Sequence, residues 1–157
     1  MKMNMKKILF VLSTLVLSLT ACADWQNRVD NVQLPLQAET FINKYFSADA
    51  VIRVELDIEH LHREYDVYLN DGTKIEFDQQ GNFLSIDCQT REVPAGIVPD
   101  MIMQDIQVHY AQFIVNEYHV ETRHLVVELN NDIELIFDLE GNFIRVDDWE
   151  LKTENWK

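Results

Sequence analysis

The polar and apolar side chains of this sequence change their spacing several times between residues 34 and 148. Apolar residues recur at helical spacing directly after Pro35 and again after Pro99, and a proline at the first helical position sacrifices no hydrogen bond. This pattern predicts two amphipathic helices. Their apolar positions are Leu36, Phe41, Ile42 and Tyr45 in the first, and Ile102, Ile106 and Tyr110 in the second.

After the first helical stretch the period becomes two, which is typical of strands that bury one face. Polar and apolar residues alternate from Ile52 to Glu59 and again from Tyr65 to Asn70. In this pattern Ile52 lies on the same buried face as the other aliphatic residues of its run. A helix is expected to cover that face, because the strands have one apolar side to bury.

The two halves of the chain resemble each other. Tyr65–Asp87 aligns without gaps onto Leu125–Asp147, and Leu34-Pro35 pairs with Val98-Pro99. Such self-similarity indicates a repeat architecture. We predict an α+β protein of two tandem repeats, each a helix packed on one face of a four-stranded antiparallel sheet. The predicted boundaries are a signal peptide at 1–21, a linker at 22–33, repeat 1 at 34–89, a linker at 90–97, repeat 2 at 98–148 and a C-terminal tail at 149–157.

Short turns are predicted between the strands. Asp71-Gly72 lies between two alternating runs and is a strong hairpin signal. Asp78–Gly81 and Asp138–Gly141 fit type I turns that a left-handed glycine closes. In the second half Asn131-Asp132 replaces Asp71-Gly72, so we expect a looser hairpin there.

The N-terminus predicts export. Three lysines within the first seven residues precede Ile8–Leu19, an apolar run too short for a bilayer, which needs roughly 20 residues. A basic region followed by such a run is typical of a signal peptide. Leu19-Thr20-Ala21-Cys22 resembles a lipobox, in which Cys22 is lipidated, whereas Ala21-Cys22-Ala23 also suits ordinary signal peptidase. A periplasmic or outer-membrane lipoprotein and a soluble periplasmic protein both stay open.

The charge of the chain limits the kinds of partner that it is expected to bind. The formal charge is −14, and without the three lysines of the signal peptide it is −17, from 10 basic and 27 acidic residues. A surface this acidic repels phosphate backbones and anionic lipids, so nucleic-acid binding is not expected. Contact with a membrane is expected only through a lipid on Cys22. An exported protein or peptide with basic groups and divalent cations both suit this charge, and simple solubility is the alternative.

No reactive constellation is evident. After residue 21 the only serines are Ser47 and Ser85, and neither lies in a nucleophile-elbow pattern. Cys88 has no neighbouring histidine in the sequence to activate it and suits a buried structural thiol. His60 and His62 lack the partners of a zinc motif. We therefore predict no catalytic residues, no metal site and no cofactor.

The run from Tyr65 to Phe83, preceded by Leu34-Pro35 and a helix, resembles the PepSY-like, β-lactamase-inhibitor-like family. The likeness lies in a tyrosine-led strand, an Asp-Gly turn, a strand that ends in Phe77-Asp78 and then Gly-Asn-Phe. The resemblance implies an exported protein, two tandem repeats and non-catalytic binding through the open sheet face. It carries over no catalytic residue.

A helix over one face of the sheet leaves the opposite face as the candidate partner surface. We predict a non-catalytic binding module of the cell envelope, with inhibition or regulation of a secreted enzyme as its role; the alternative is an acidic periplasmic protein that binds divalent cations. The predicted contact residues are Tyr68, Lys74, Glu76, Val126, Glu128, Glu134 and Ile136.

Overall fold

The computed structural model describes residues 29–30, 32–59 and 62–147 of the chain. Helix α1 spans Leu36–Tyr45, helix α2 spans Asp100–His109, and a short 3-10 helix spans Ala48–Ala50. None of the helices in these ranges is long and apolar enough to cross a membrane. The strands are β1 (Val29–Asp30), β2 (Val51–Glu59), β3 (His62–Leu69), β4 (Lys74–Asp78), β5 (Phe83–Asp87), β6 (Val115–Val120), β7 (Leu125–Leu129), β8 (Glu134–Phe137) and β9 (Phe143–Asp147).

All nine strands form one antiparallel sheet in chain order, from β1 to β9. The prediction of two tandem units, each with its own four-stranded sheet, is therefore wrong. The pairing of β5 with β6, in which Ile86 faces Tyr118, joins the two halves into a single sheet. In separate sheets β5 and β6 would each be an edge strand with one unpaired side. Their pairing satisfies the backbone groups on those sides. The predicted N-terminal linker also contributes β1, which pairs with β2.

The core lies between the helices and one face of the sheet, here called the helix face. Apolar residues on neighbouring strands form a continuous row across this face: Val54, Val67, Ile75, Ile86, Tyr118, Val127 and Leu135. Ala38 and Ile42 of α1, with Ile102 and Ile106 of α2, are buried against the same core cluster. The alternation of the strands thus predicts most of the side chains that form this core.

Each helix begins directly after its proline and packs against a turn of the sheet. Gly81 has φ +85, and a Cβ built on it would lie 2.8 Å from Pro35 Cβ and 3.0 Å from the backbone nitrogen of Ala38. The turn donates Gly81 N–H to Asp78 O at 2.9 Å, as predicted for a left-handed glycine. This glycine therefore lets the β4–β5 turn approach the start of α1.

The expected looseness of the second hairpin is wrong. Leu129 N–H donates to Ile133 O at 3.0 Å and Asp132 N–H donates to Leu129 O at 2.9 Å, as the matching groups of the first hairpin do. Asp132 takes a left-handed φ of 64° in place of glycine. Aspartate tolerates this region better than most residues, which explains why the turn still closes.

The expected burial of Ile52 is also wrong. The register of β2 against β3 shifts between Val51 and Arg53, so the alternation of the strand is interrupted at Ile52. A bulge of this kind moves the following side chains by one position. As a result Ile52 is exposed while Val54 is buried.

Candidate functional site: the open face of the sheet

The face of the sheet that the helices leave uncovered, here called the open face, carries most of the charged strand residues. The cross-strand register aligns them in two rows. The first row is Glu55, Asp66, Glu76, Ser85, His119, Val126, Ile136 and Arg145; the second is Arg53, Tyr68, Lys74, Asp87, Glu117, Glu128, Glu134 and Asp147. Residues that face each other across strands interact directly, so each row forms a connected line of side chains.

On β2, β3 and β4 the rows form a charged network in which two cations pair with three carboxylates. Arg53 pairs with Glu55 at 2.9 Å and lies over the ring of Tyr68, 4.0 Å from its centroid. Lys74 Nζ lies 3.2 Å from Asp66 Oδ2 and also pairs with Glu76. Glu55 and Asp66 are only 3% and 4% exposed. Buried carboxylates are costly without partners, and here the cations supply them.

The pKa values in this network follow from burial and from Lys74. Burial raises the pKa of Asp66, and Lys74 opposes the shift without cancelling it. Burial also acts to raise the pKa of Glu76, but hydrogen bonds from Lys74 and from Ser85, whose Oγ donates at 2.6 Å, outweigh it and lower that pKa. The two carboxylates raise the pKa of Lys74 despite its own burial. The Lys74 ammonium group therefore pairs with both carboxylates and stabilises their charged forms.

On β5 to β9 the second row is almost entirely acidic. Its five consecutive members, here called the acidic row, are Asp87, Glu117, Glu128, Glu134 and Asp147. The neighbouring basic side chains are Lys74, which faces Asp87, His119, whose Nε2 lies 3.2 Å from Glu117, and Arg145, which lies 3.1 Å from Asp147. Burial, followed by repulsion from Glu117 and Glu134, raises the pKa of Glu128. The acidic row thus holds more negative charge than its neighbours offset.

The register puts all seven predicted contact residues on the open face, but in different surroundings. Tyr68, Lys74 and Glu76 belong to the charged network, and Glu128 and Glu134 are adjacent in the acidic row. The apolar pair that separates these regions is less available than expected. Val126 is half-buried, and Ile136, only 3% exposed, contributes little contact surface.

The sequence prediction missed the middle of the face. Asp87, Glu117 and His119 complete the rows because β5 pairs with β6, and two separate sheets would have kept them apart. The alternation of Glu117 and His119 with Tyr118 was a usable signal for their side of the strand. The alternation does not indicate that β6 pairs with β5.

The other side chains considered for chemistry are placed as structural residues or lie outside the described ranges. Burial raises the pKa of the Cys88 thiol, which is buried in the core cluster. Ser85 is buried, and its Oγ donates to the carboxylate of Glu76 at 2.6 Å. Within the described residues, no group of three or more His, Cys, Asp or Glu side chains is arranged to hold a metal ion. Cys22 and His60 lie outside these residues.

The fold defines an α+β protein whose antiparallel sheet is covered by helices on one face and open on the other. A family model described as "Putative beta-lactamase-inhibitor-like, PepSY-like" matches residues 63–145, more than half of the chain. The chain therefore belongs to this family, and the resemblance predicted from the sequence is confirmed. No curated protein matches it.

Solved structures share the fold. A "putative calcium-regulated periplasmic protein" from Bacteroides thetaiotaomicron is 31% identical, with a TM-score of 0.72, over 78% of this chain and 96% of that one. A "putative periplasmic protein of unknown function" from Bacteroides vulgatus is 28% identical, also with a TM-score of 0.72, over 77% and 99%. A "putative periplasmic protein from DUF2874 family" from Bacteroides vulgatus is 29% identical, with a TM-score of 0.70, over 81% of this chain and 100% of that one.

Proposed function

We propose that this protein is a non-catalytic binding module of the cell envelope that recognises a positively charged partner with its open face. One observation carries the proposal: five half-buried carboxylates on five neighbouring strands form one line on the open face. Like charges that face each other across strands weaken the folded state. The pKa of Glu128 is raised first by burial and then by repulsion from Glu117 and Glu134. A basic partner would relieve that repulsion on binding, and opposite charge also speeds association.

The partner proposed is an exported protein or peptide with Lys or Arg side chains. Acidic side chains arranged across an open sheet face suit basic groups spaced along an extended segment or a protein surface. Within the envelope, inhibition or regulation of a secreted enzyme is the role that the family description suggests. The network around Lys74, whose carboxylates are already paired with cations, then lies beside the acidic row and contributes less to the attraction.

A charge-matched pair of variants tests the role of the acidic row. The first variant replaces Glu117, Glu128 and Glu134 with Gln; the control replaces Glu92, Glu121 and Glu140, which are exposed and off the row, with Gln. Both lose three negative charges, so a difference between them reports position and not net charge. The assay is photo-crosslinking in intact cells from an unnatural amino acid at position 145, at the border of the row.

We expect the crosslinked partners to disappear in the row variant and to persist in the control, with a decline at high salt. The same loss in both variants would contradict recognition by the row, and persistence in both would place binding elsewhere. Crosslinking from position 104 on α2 serves as the control for the face.

Divalent-cation binding is a second candidate function. It is favoured by the acidic row and by the solved relative that is described as calcium-regulated. The described side chains do not form a compact ligand group, so we expect weak, distributed binding rather than a closed coordination shell. Calorimetry with Ca²⁺ and Mg²⁺ on the same two variants tests it. Heat that is lost only in the row variant would support this function, and no heat above dilution in the native chain would reject it.

We also propose that the chain is exported to the periplasm. The support is the N-terminal sequence pattern, which lies outside the described residues, and the periplasmic description of the solved relatives. Lipidation of Cys22 and cleavage without lipidation lead to different mature N-termini. Mass spectrometry of the protein purified from the envelope distinguishes them, since a chain that begins at Cys22 with added acyl mass would establish the lipoprotein. An uncleaved cytoplasmic chain would contradict export.

A further inference from the structure

The helix face has an incompletely covered end at β9, the last strand of the sheet. Phe143, Ile144 and Val146 of this strand are exposed, and Val108 of α2 beside it is 76% exposed. A groove of about 360 Å³ runs between α2 and the start of β9. Pockets for small ligands span roughly 300–1,000 Å³, and this groove lies near the lower limit of that range. Its size therefore suits one large side chain rather than a larger ligand.

In the first half of the chain, aromatic side chains occupy the position that corresponds to this groove. Phe83 aligns with Phe143, and its ring stacks on Phe41 at 4.9 Å and on Tyr118 at 5.8 Å, between centroids. Phe41 comes from α1 and Tyr118 comes from the next strand, β6. Phe83 is thus enclosed by aromatic rings on both sides.

Phe143 lacks both of those neighbours. The helix position that corresponds to Phe41 is occupied by Asp105, which pairs with His109 at 3.2 Å and lines the groove. Within the described residues no strand follows β9, and the aromatic contact recorded for Phe143 is with Phe137. Phe143 is consequently 46% exposed, and among the described residues no aromatic group takes the place that Tyr118 has beside Phe83.

We propose that the indole of Trp156, in the C-terminal segment 148–157, binds this groove and covers Phe143. That segment lies outside the described residues, and it follows β9 directly in the sequence. Burying an aromatic ring against another is favourable by about 0.5–1.5 kcal/mol beyond the area removed from water. The groove is on the helix face, so the proposal is independent of the function proposed for the open face.

The reach of the chain selects Trp156 over Trp149. The groove adjoins Phe143, four residues before Asp147, which is roughly 13 Å along the strand. Trp149 is two residues beyond Asp147, so its Cα lies within about 7 Å of that residue. Trp156 is nine residues beyond it, which allows about 30 Å, enough for the chain to turn back along β9.

Intrinsic fluorescence tests the proposal, because the three tryptophans of the chain, Trp25, Trp149 and Trp156, all lie outside the described residues. Two variants of the mature chain are compared: Trp25→Phe with Trp149→Phe, which leaves Trp156, and Trp25→Phe with Trp156→Phe, which leaves Trp149 as the control. The readouts are the emission maximum and quenching by acrylamide, in buffer and in urea.

We expect Trp156 to emit at shorter wavelength than Trp149 and to be quenched several-fold less in buffer, with the difference lost in urea. Val108→Glu should then restore quenching of Trp156, while circular dichroism stays unchanged because this side chain is exposed. Equal quenching of the two tryptophans, or protection of Trp149 instead, would overturn the proposal. Protection that grows with protein concentration would also overturn it, since a second copy would then fill the groove.

Discussion

Replacing Glu128 with Gln should make the protein more stable at neutral pH. Glu128 lies between Glu117 and Glu134 in the acidic row, and cross-strand neighbours are roughly 5 Å apart. Each neighbour then repels it by about 0.8 kcal/mol in water. Screening at physiological salt, where the Debye length is about 8 Å, reduces this to about 0.4 kcal/mol. Two neighbours give a gain of about 1 kcal/mol.

The pH dependence has a definite sign. The pKa of Glu128 is raised above its ordinary value of 4.5, first by burial and then by Glu117 and Glu134. The folded state therefore holds this proton more tightly than the unfolded state. Its contribution to stability is present below pH 4.5 and is lost as the pH rises through the folded-state pKa. The variant and the native chain should thus be equally stable in acid and diverge above that range.

The assay is urea unfolding of both chains at pH 7 and at about pH 4, each in low and in high salt. The gain at pH 7 should correspond to about 4 °C in melting temperature and should shrink as salt is added. Glu121→Gln, in an exposed loop off the row, is the control and should change stability little. A Glu128→Gln variant that is less stable than the native chain at pH 7 and low salt would refute the electrostatic reasoning.

Other substitutions test the packing and the turn of the first hairpin. Gly81→Ala should destabilise by about 2–4 kcal/mol, because a positive φ costs about 1–2 kcal/mol and the new methyl group collides with Pro35 and the backbone of Ala38. Gly72→Ala, with a similar φ but no atom nearer than 3.9 Å, should cost only the first part; equal losses in urea unfolding would contradict the close packing of Gly81. Asp71→Asn should cost about 0.5–1 kcal/mol at neutral pH after allowance for solvent screening, since it removes the ion pair with Arg91. Because Arg91 holds the pKa of Asp71 well below its ordinary value of 3.8, the loss should be constant above about pH 4 and should shrink as the pH falls below that value, so a loss that does not shrink between about pH 4 and about pH 2 in urea titrations would exclude the ion pair as its cause.

Local signals in the sequence predicted the elements and the buried side of most strands. Pro35 and Pro99 directly precede the helices, and the alternation of Tyr65, Val67 and Leu69 predicts the helix face correctly. These features depend on residues that are close together in the sequence, so a single sequence is enough to predict them. Ile52 departs from the pattern because a bulge is set by the pairing with β3, which alternation does not reveal.

The arrangement of the candidate site depends on long-range pairing. The sequence identified Glu128 and Glu134 as members of an exposed face, because both lie in polar positions of alternating runs. It could not predict that Asp87 and Glu117 extend the same line, since that requires β5 to pair with β6 across the linker. The repeat itself favoured the mistaken view that each half completes its own sheet.

The pairing of β5 with β6 also limits what a fragment of this protein could do. Val93 N–H donates to Val115 O at 2.8 Å and Cys88 N–H donates to Asn116 O at 2.9 Å, so the connecting segment is bonded to the same strand. A fragment that ends between β5 and β6 would expose the unpaired backbone groups of an edge strand. It would also contain only part of the acidic row. Such fragments would self-associate through the exposed edge rather than fold as smaller versions of the whole protein.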